Sequence, residues 1–222
     1  MNSTLDHTRP KAVLFDMDGT LVNHFETIRR CYQFAAETMG KTPPDYETVK
    51  RAIGGSMPVT IRTFFGEEEL EEAMRLWNQR FDEIHLEGVE LLQGARELLE
   101  VLRQRGIKTA VFTNKSGSHS RNIVDSIGLN PYFEWVLGAE DTPYRKPQRE
   151  LSEIALQRLD VPAADAIMVG DSPFDIEAAH CVGMTSFCVP TGSHSVAELE
   201  AAGADRIFES LQAIADTIFT ER

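Results

Sequence analysis

The sequence predicts an α/β protein, a Rossmann-like parallel sheet with helices on both faces and an inserted all-helical domain. Three observations carry that prediction. From about residue 90 onward, short apolar runs alternate with segments of helical period, the pattern of right-handed strand–helix–strand crossovers. One further apolar run, residues 11–15, stands near the N-terminus and ends in acidic residues and Gly19. Between these, residues 22–89 hold helical spacing and almost nothing strand-like.

Each element has its own reason. Residues 11–15 read as a buried strand feeding a loop, because a strand covered on both faces is continuously apolar. Phe25, Ile28, Cys31, Tyr32 and Ala35 then recur at helical spacing, and Gly40 with Pro43 and Pro44 ends that helix. A second helical piece leads to Gly54-Gly55. A third begins near Gly66 and places Leu70, Met74, Trp77, Phe81 and Ile84 on one face. Residues 22–89 are therefore expected to form one domain, and residues 1–21 with 90–222 the other. In the second, helices are expected over 94–105, 116–127, 147–159 and 172–182, and strands over 107–113, 135–137, 166–169 and 184–189. A helix near Val196, a strand at 206–208 and a last helix complete the chain.

Composition bounds the function. With 42% hydrophobic and 26% charged residues, the chain can bury a full core. Its net charge of -13 repels nucleic acid and anionic membranes, so neither is expected as a partner. An anionic small molecule would also be repelled, unless local cations offset the field. The three cysteines, Cys31, Cys181 and Cys188, show neither zinc spacing nor a disulfide framework, as expected in a reducing compartment. The start, residues 1–10, is polar and unlike a signal peptide, and no apolar run is long enough to span a bilayer. A cytoplasmic protein, monomeric or weakly dimeric, is expected.

Ligands of such sheets sit beyond the carboxyl ends of the strands. There the sequence places Asp16, Asp18, Gly19 and Thr20, then Thr113 and Asn114, then Lys146, then Gly170, Asp171, Ser172 and Asp175. Singly these are ordinary: Ser172-Pro173 with Asp175 resembles a capping box, Thr113-Asn114 a turn, Lys146 a solvated lysine. Together, four aspartates on one loop edge repel one another unless a cation or a proton intervenes, and that cost points to function. Asp16, Asp18, Asp171 and Asp175 against Lys146 admit a phosphate dianion only once a divalent cation and a proton are added. Oxygen-only ligands favour Mg2+.

The stretch Phe15-Asp16-Met17-Asp18-Gly19-Thr20-Leu21-Val22 resembles the first motif of the haloacid dehalogenase superfamily of phosphohydrolases. Thr113-Asn114, Lys146-Pro147 and Gly170-Asp171-Ser172-Pro173-Phe174-Asp175 resemble its second, third and fourth motifs, in order. The likeness covers nearly the whole chain, and the helical block lies where members of the phosphoglycolate-phosphatase-like and phosphoglucomutase-like groups carry a cap domain. It implies a magnesium-dependent phosphatase of small phosphorylated metabolites. Asp16 would be the nucleophile and Asp18 the general acid and base. The Asp16 side chain, the Asp18 carbonyl and the Asp171 side chain would hold the metal. Thr113, Asn114 and Lys146 would bind the phosphoryl group, and Asp175 would orient the metal shell or Lys146.

This chain has Asn23-His24 where relatives often carry Asp-Ser, and Gln148-Arg149 where a second proline often follows. The acidic Asp18 argues for phosphate chemistry over carbon–halogen cleavage. Within the block, the Ile53-Gly54-Gly55-Ser56 loop is expected to reach the site, since glycine permits close approach. Lys50, Arg51 and Arg62 flank that loop and could meet an anionic leaving group, Arg51 foremost. The alternatives are a phosphosugar mutase with the same four motifs and, from a different class, a phospho-accepting signalling receiver. The receiver is disfavoured by motif order and by the helical insertion.

Overall fold

The computed structural model describes residues 10–218; the polar start expected at residues 1–9 lies outside them. Among the described residues eight strands form: β1 (Ala12–Phe15), β2 (Val22–Asn23), β3 (Glu90–Leu91), β4 (Lys108–Ser116), β5 (Val136–Ala139), β6 (Ala166–Gly170), β7 (Thr185–Cys188) and β8 (Arg206–Ile207). Helices α1 (Phe25–Thr38), α2 (Tyr46–Ala52), α3 (Met57–Phe65) and α4 (Leu70–Ile84) fill the insertion. Helices α5 (Ala95–Gln104), α6 (Gly117–Ser126), α7 (Arg149–Leu159), α8 (Pro173–His180), α9 (Val196–Ala201) and α10 (Leu211–Ile218) follow.

The large sheet runs β5-β4-β1-β6-β7-β8, and every pairing in it is parallel. Chain order therefore turns back between β1 and β6, where a crevice opens beyond the strand ends. Alternation along β1 sends Val13 and Phe15 to one face and Ala12 and Leu14 to the other. On the first face they pack with Leu98 and Leu102 of α5 and Ile214 of α10. On the second, Leu14, Phe112 and Met168 meet Leu151 and Leu156 of α7 and Ala179 of α8. A parallel sheet covered on both sides is thus observed, as expected.

The helical block differs from the sequence reading in two places. Helix α3 has no counterpart in the sequence reading, which passes from the loop at Gly54-Gly55 to a helix near Gly66. Pro58 in fact occupies the first turn, where no backbone N–H is required, after an extended Ser56. At the base of the block, β2 and β3 pair antiparallel, Val22 against Leu91, two strands too short to leave a period in the sequence. The apolar side of the block, including Ile28, Leu76, Trp77 and Phe81, is continuous with the sheet core through Met17, Leu21 and Val22. Among the described residues, no helix is long and apolar enough to cross a membrane.

Candidate active site

Strand register assembles the site. Phe15 pairs with Val169 on one side and with Val111 on the other. Asp16 and Asp171, which follow β1 and β6, and Thr113, two residues past Val111 in β4, therefore lie side by side at the switch point. Asp16, Asp18, Thr113, Asn114, Lys146, Asp171 and Asp175 are all buried.

Lys146 lies between two carboxylates. Its Nζ donates to Asp16 Oδ1 at 2.7 Å and to Asp175 Oδ1 at 2.6 Å. Burial alone would lower the Lys146 pKa, but Asp16 and Asp175 together push it above the ordinary lysine value. The other Asp175 oxygen accepts from the backbone N–H groups of Asp171 and Ser172 and from Ser172 Oγ at 2.6 Å. Asp175 is thus both the helix cap that its spacing suggested and the group that aims Lys146.

Asp171 is held just as closely. Its Oδ1 accepts from Thr20 Oγ1 at 3.2 Å, and its Oδ2 accepts from the Ser193 backbone N–H at 2.9 Å. Two glycines permit this approach: a Cβ added at Gly19 would come within 2.8 Å of Asp171 Oδ2, and one at Gly192 within 1.8 Å. Gly19 also has a φ of 87°, which L side chains rarely adopt. The glycine of the first motif is therefore required by both its backbone angle and its neighbour.

Asn114 lines the same cavity as Asp16, Asp18 and Thr113, and its side-chain amide is engaged at both ends. Its Nδ2 donates to the carbonyls of Gly54 and Lys146, each at 3.1 Å, and its Oδ1 accepts from the Lys146 N–H at 2.8 Å. The side-chain amide ties the helical block to the lysine loop. The Gly54 loop reaches the site: Ile53, Gly54 and Gly55 line a cavity of about 70 Å³ together with Asp16, Asp18 and Thr113. Arg51 is mostly exposed, with its guanidinium 3.8 Å from Glu198, and it lines neither this cavity nor the neighbouring one. Lys50 lies over the Phe25 ring, and Arg62 pairs with Glu67.

Two residues escaped the sequence reading. Lys115 Nζ donates to Asp18 Oδ2 at 2.9 Å and stands 4.6 Å from the Phe81 ring centroid. It follows Thr113-Asn114 directly near the end of β4, and that adjacency was the available signal. His24 is buried with Nε2 3.2 Å from the Glu87 carbonyl and Nδ1 3.9 Å from Asp18 Oδ1. Both Nδ1 and Asp18 Oδ1 are buried without a hydrogen-bond partner.

The donor set suits a divalent metal. Carboxylate oxygens of Asp16, Asp171 and Asp175 lie within 4.8 Å of one another. Burial pushes the Asp16 carboxyl up to about 6, with Asp175 and Asp18 adding to the push and Lys146 opposing it. Burial, Asp16 and Asp175 likewise push Asp171 well above the usual carboxylate range. Four carboxylates against the two ammonium groups of Lys146 and Lys115 leave a formal charge of −2, which one divalent cation cancels.

A family model of haloacid dehalogenase-like hydrolases matches residues 13–189. The chain is 26% identical over 214 residues to a phosphoglycolate phosphatase of Pseudomonas fluorescens, across 92% of this chain and 78% of that one. It is 31% identical over 178 residues to a protein of Caldanaerobacter subterraneus provisionally named pyrophosphatase PpaX, covering 80% of each. In fold it resembles a crystal structure from Lactobacillus delbrueckii, provisionally named a phosphoglycolate phosphatase. That likeness has a TM-score of 0.89 and 24% identity over 96% of this chain and all of the other. Motif order, switch-point geometry and these likenesses agree, and the chain belongs to the haloacid dehalogenase-like hydrolase family.

Proposed function

We propose that the protein is a magnesium-dependent phosphatase that hydrolyses small-molecule phosphate monoesters through an aspartyl-phosphate on Asp16. The observation that carries this reading is the buried Asp16–Lys146–Asp175 chain at the switch point, with Asp18 and Thr113 on the same small cavity. The relatives named as phosphatases support water, rather than a second substrate hydroxyl, as the final acceptor.

In this reading Asp16 attacks phosphorus and forms a P–O bond as the ester P–O bond breaks. Asp18 protonates the departing oxygen through Oδ1, the oxygen left open while Lys115 holds Oδ2. Asp18 then takes a proton from water, whose oxygen attacks the phosphorus, and the bond to Asp16 breaks to release inorganic phosphate. Lys146 and the Thr113 hydroxyl offset charge on the phosphoryl oxygens. Asp16, Asp171 and the Asp18 backbone carbonyl would hold magnesium, which would supply neutralisation of those same oxygens. The helical block of residues 22–89 acts as the cap, with its Gly54 loop over the reacting group.

The test is Asp18→Asn with an aryl phosphate. Phenolate leaves without much acid help, but hydrolysis of the aspartyl-phosphate still needs a base, whose help is worth roughly 10²–10⁴ in rate. The phosphoenzyme should therefore accumulate, with a burst of about one phenolate per active site and the added mass mapping to Asp16. With an alkyl phosphate, no burst is expected. Unchanged turnover on both substrates, or phosphate on another residue, would overturn the mechanism.

A further inference from the structure

A second cavity, of about 200 Å³, opens beside the one at Asp16 and shares Met57, Trp77, Asn114 and Lys115 with it. The leaving group of an ester whose phosphoryl sits at Asp16 has this space ahead of it. One wall comes from α3 and α4 of the helical block, the other mainly from the end of β4 and the start of α6.

Each wall carries a buried polar atom that the protein leaves without a hydrogen bond. On the helical block it is Nε1 of Trp77, a residue only 8% exposed. On the sheet domain it is Nδ1 of His119. Both rings lie against Phe81, with centroids 4.7 and 4.9 Å from its own. Both residues line the cavity, so one small molecule inside it can meet both.

The two atoms require opposite partners. An indole N–H only donates. The other nitrogen of His119, Nε2, lies 2.7 Å from Asp82 Oδ1. An ionised carboxylate only accepts, so Nε2 carries the ring hydrogen, and Nδ1 of the neutral ring presents a lone pair. Burial, with His85 and Lys115 nearby, outweighs Asp82 and holds the His119 pKa below its ordinary value, which favours that neutral ring.

An occupant that satisfies both atoms must accept from Trp77 and donate to His119. A hydrocarbon body does neither, and a buried donor or acceptor left unpaired carries the full cost of its lost hydration. A carboxylate accepts but has no proton to donate. The cations on the wall are also matched by anions: Lys115 is paired with Asp18, and Arg145 shares the wall with Glu140. Hydroxyls both accept and donate. Ser56, Asn78 and Ser116 line the same space, and side chains of these types give and take hydrogen bonds as well.

We propose that the leaving group of the substrate is polyhydroxylated, a sugar or polyol that takes a hydrogen bond from Trp77 and gives one to His119. This substrate class rests on the phosphatase reading above. It makes Trp77, on the helical block, and His119, on the sheet domain, specificity residues that read one molecule from two sides.

The test measures phosphate release by the intact protein with magnesium present, as kcat/KM. The hydroxylated esters are glucose 6-phosphate, mannose 6-phosphate and sorbitol 6-phosphate. The controls are cyclohexylmethyl phosphate, a six-membered ring without hydroxyls, and phosphoglycolate, which carries a carboxylate. All are esters of primary alcohols, so the comparison reads the body of the leaving group. The best hydroxylated ester should exceed each control by at least about tenfold, the scale of one or two net hydrogen bonds. Trp77→Phe and His119→Phe each keep an aromatic ring beside Phe81 and remove the polar atom. The Asp82 side chain, 65% exposed, turns to water in the second. In each variant the ratio of that ester to cyclohexylmethyl phosphate should fall by about fivefold or more. Should one variant fail to fold, the other reads the same ratio. A smaller margin in the wild type, or an unchanged ratio in either folded variant, would overturn the substrate class while leaving the phosphatase reading intact. If no ester releases phosphate, the phosphatase reading itself fails.

Discussion

Lys115 and Asp18 form a buried ion pair, Nζ to Oδ2 at 2.9 Å, with the ammonium also set against the face of Phe81. The pair joins the end of β4 to the loop after β1, while Phe81 belongs to α4. One side chain thus touches the proposed acid–base residue, the sheet domain and the helical block.

Lys115→Met should be costly for that reason. Removing one partner leaves the other charge buried and uncompensated, a loss of about 3–5 kcal/mol in such settings. Chemical denaturation should show a drop of that order. A change below about 0.5 kcal/mol would mean that the pair behaves as a surface contact.

Magnesium should stabilise the protein, and the effect should depend on pH. Asp16 titrates near 6 in the metal-free site and must be ionised to bind a cation. Protons compete below that value, so affinity is present above pH 6 and falls as pH drops through it. Asp171, raised as well, adds to the competition; calorimetric titration should find affinity falling with pH, and Asp16→Asn should weaken binding and reduce that dependence. At a magnesium concentration 100 times Kd, the folded state gains about 2.7 kcal/mol, read as a rise in Tm. Equal Tm with magnesium and with excess chelator at pH 7.5 would remove the metal from the reading.

His24 predicts acid sensitivity in a defined window. Burial, aided by the nearby Lys115, holds its pKa down at about 4 against an ordinary 6.5. The unfolded chain therefore binds more protons between these values, so stability is intact above pH 6.5 and is lost as pH falls toward 4. Asp16, raised from 3.8 to about 6, acts in the opposite direction over an overlapping window, so the contribution of His24 must be read as a difference. Denaturation of wild type and His24→Gln from pH 7.5 to 4 should show the variant gaining stability relative to wild type as pH falls, by about 3 kcal/mol across the window. Parallel profiles would mean that His24 protonates in the folded state at little cost.

Sequence alone determined the parallel sheet with helices on both faces and which polar residues stand near its carboxyl edge. Residues 11–15 and 166–169 had to be strands because each is a short apolar run closed by acidic or glycine-rich turns; Asp16 and Asp171 follow such strands, Thr113 lies late in β4, and Lys146 lies in the loop before α7. Those are local signals, carried by neighbours in the chain. Tertiary structure decided which side chains do what once they arrive. Asn114 became a tether because the Gly54 loop, sixty residues away, offers a carbonyl at 3.1 Å. Arg51 turned outward to Glu198, and Lys115, a plain lysine in the sequence, turned inward to Asp18. Distances between carboxylates, the burial that lifts Asp16 and Asp171, and the cavity against Trp77 and Phe81 all depend on segments brought together by packing. No pattern of neighbours in one chain encodes them separately, because burial and Coulomb energy are set by distance in space.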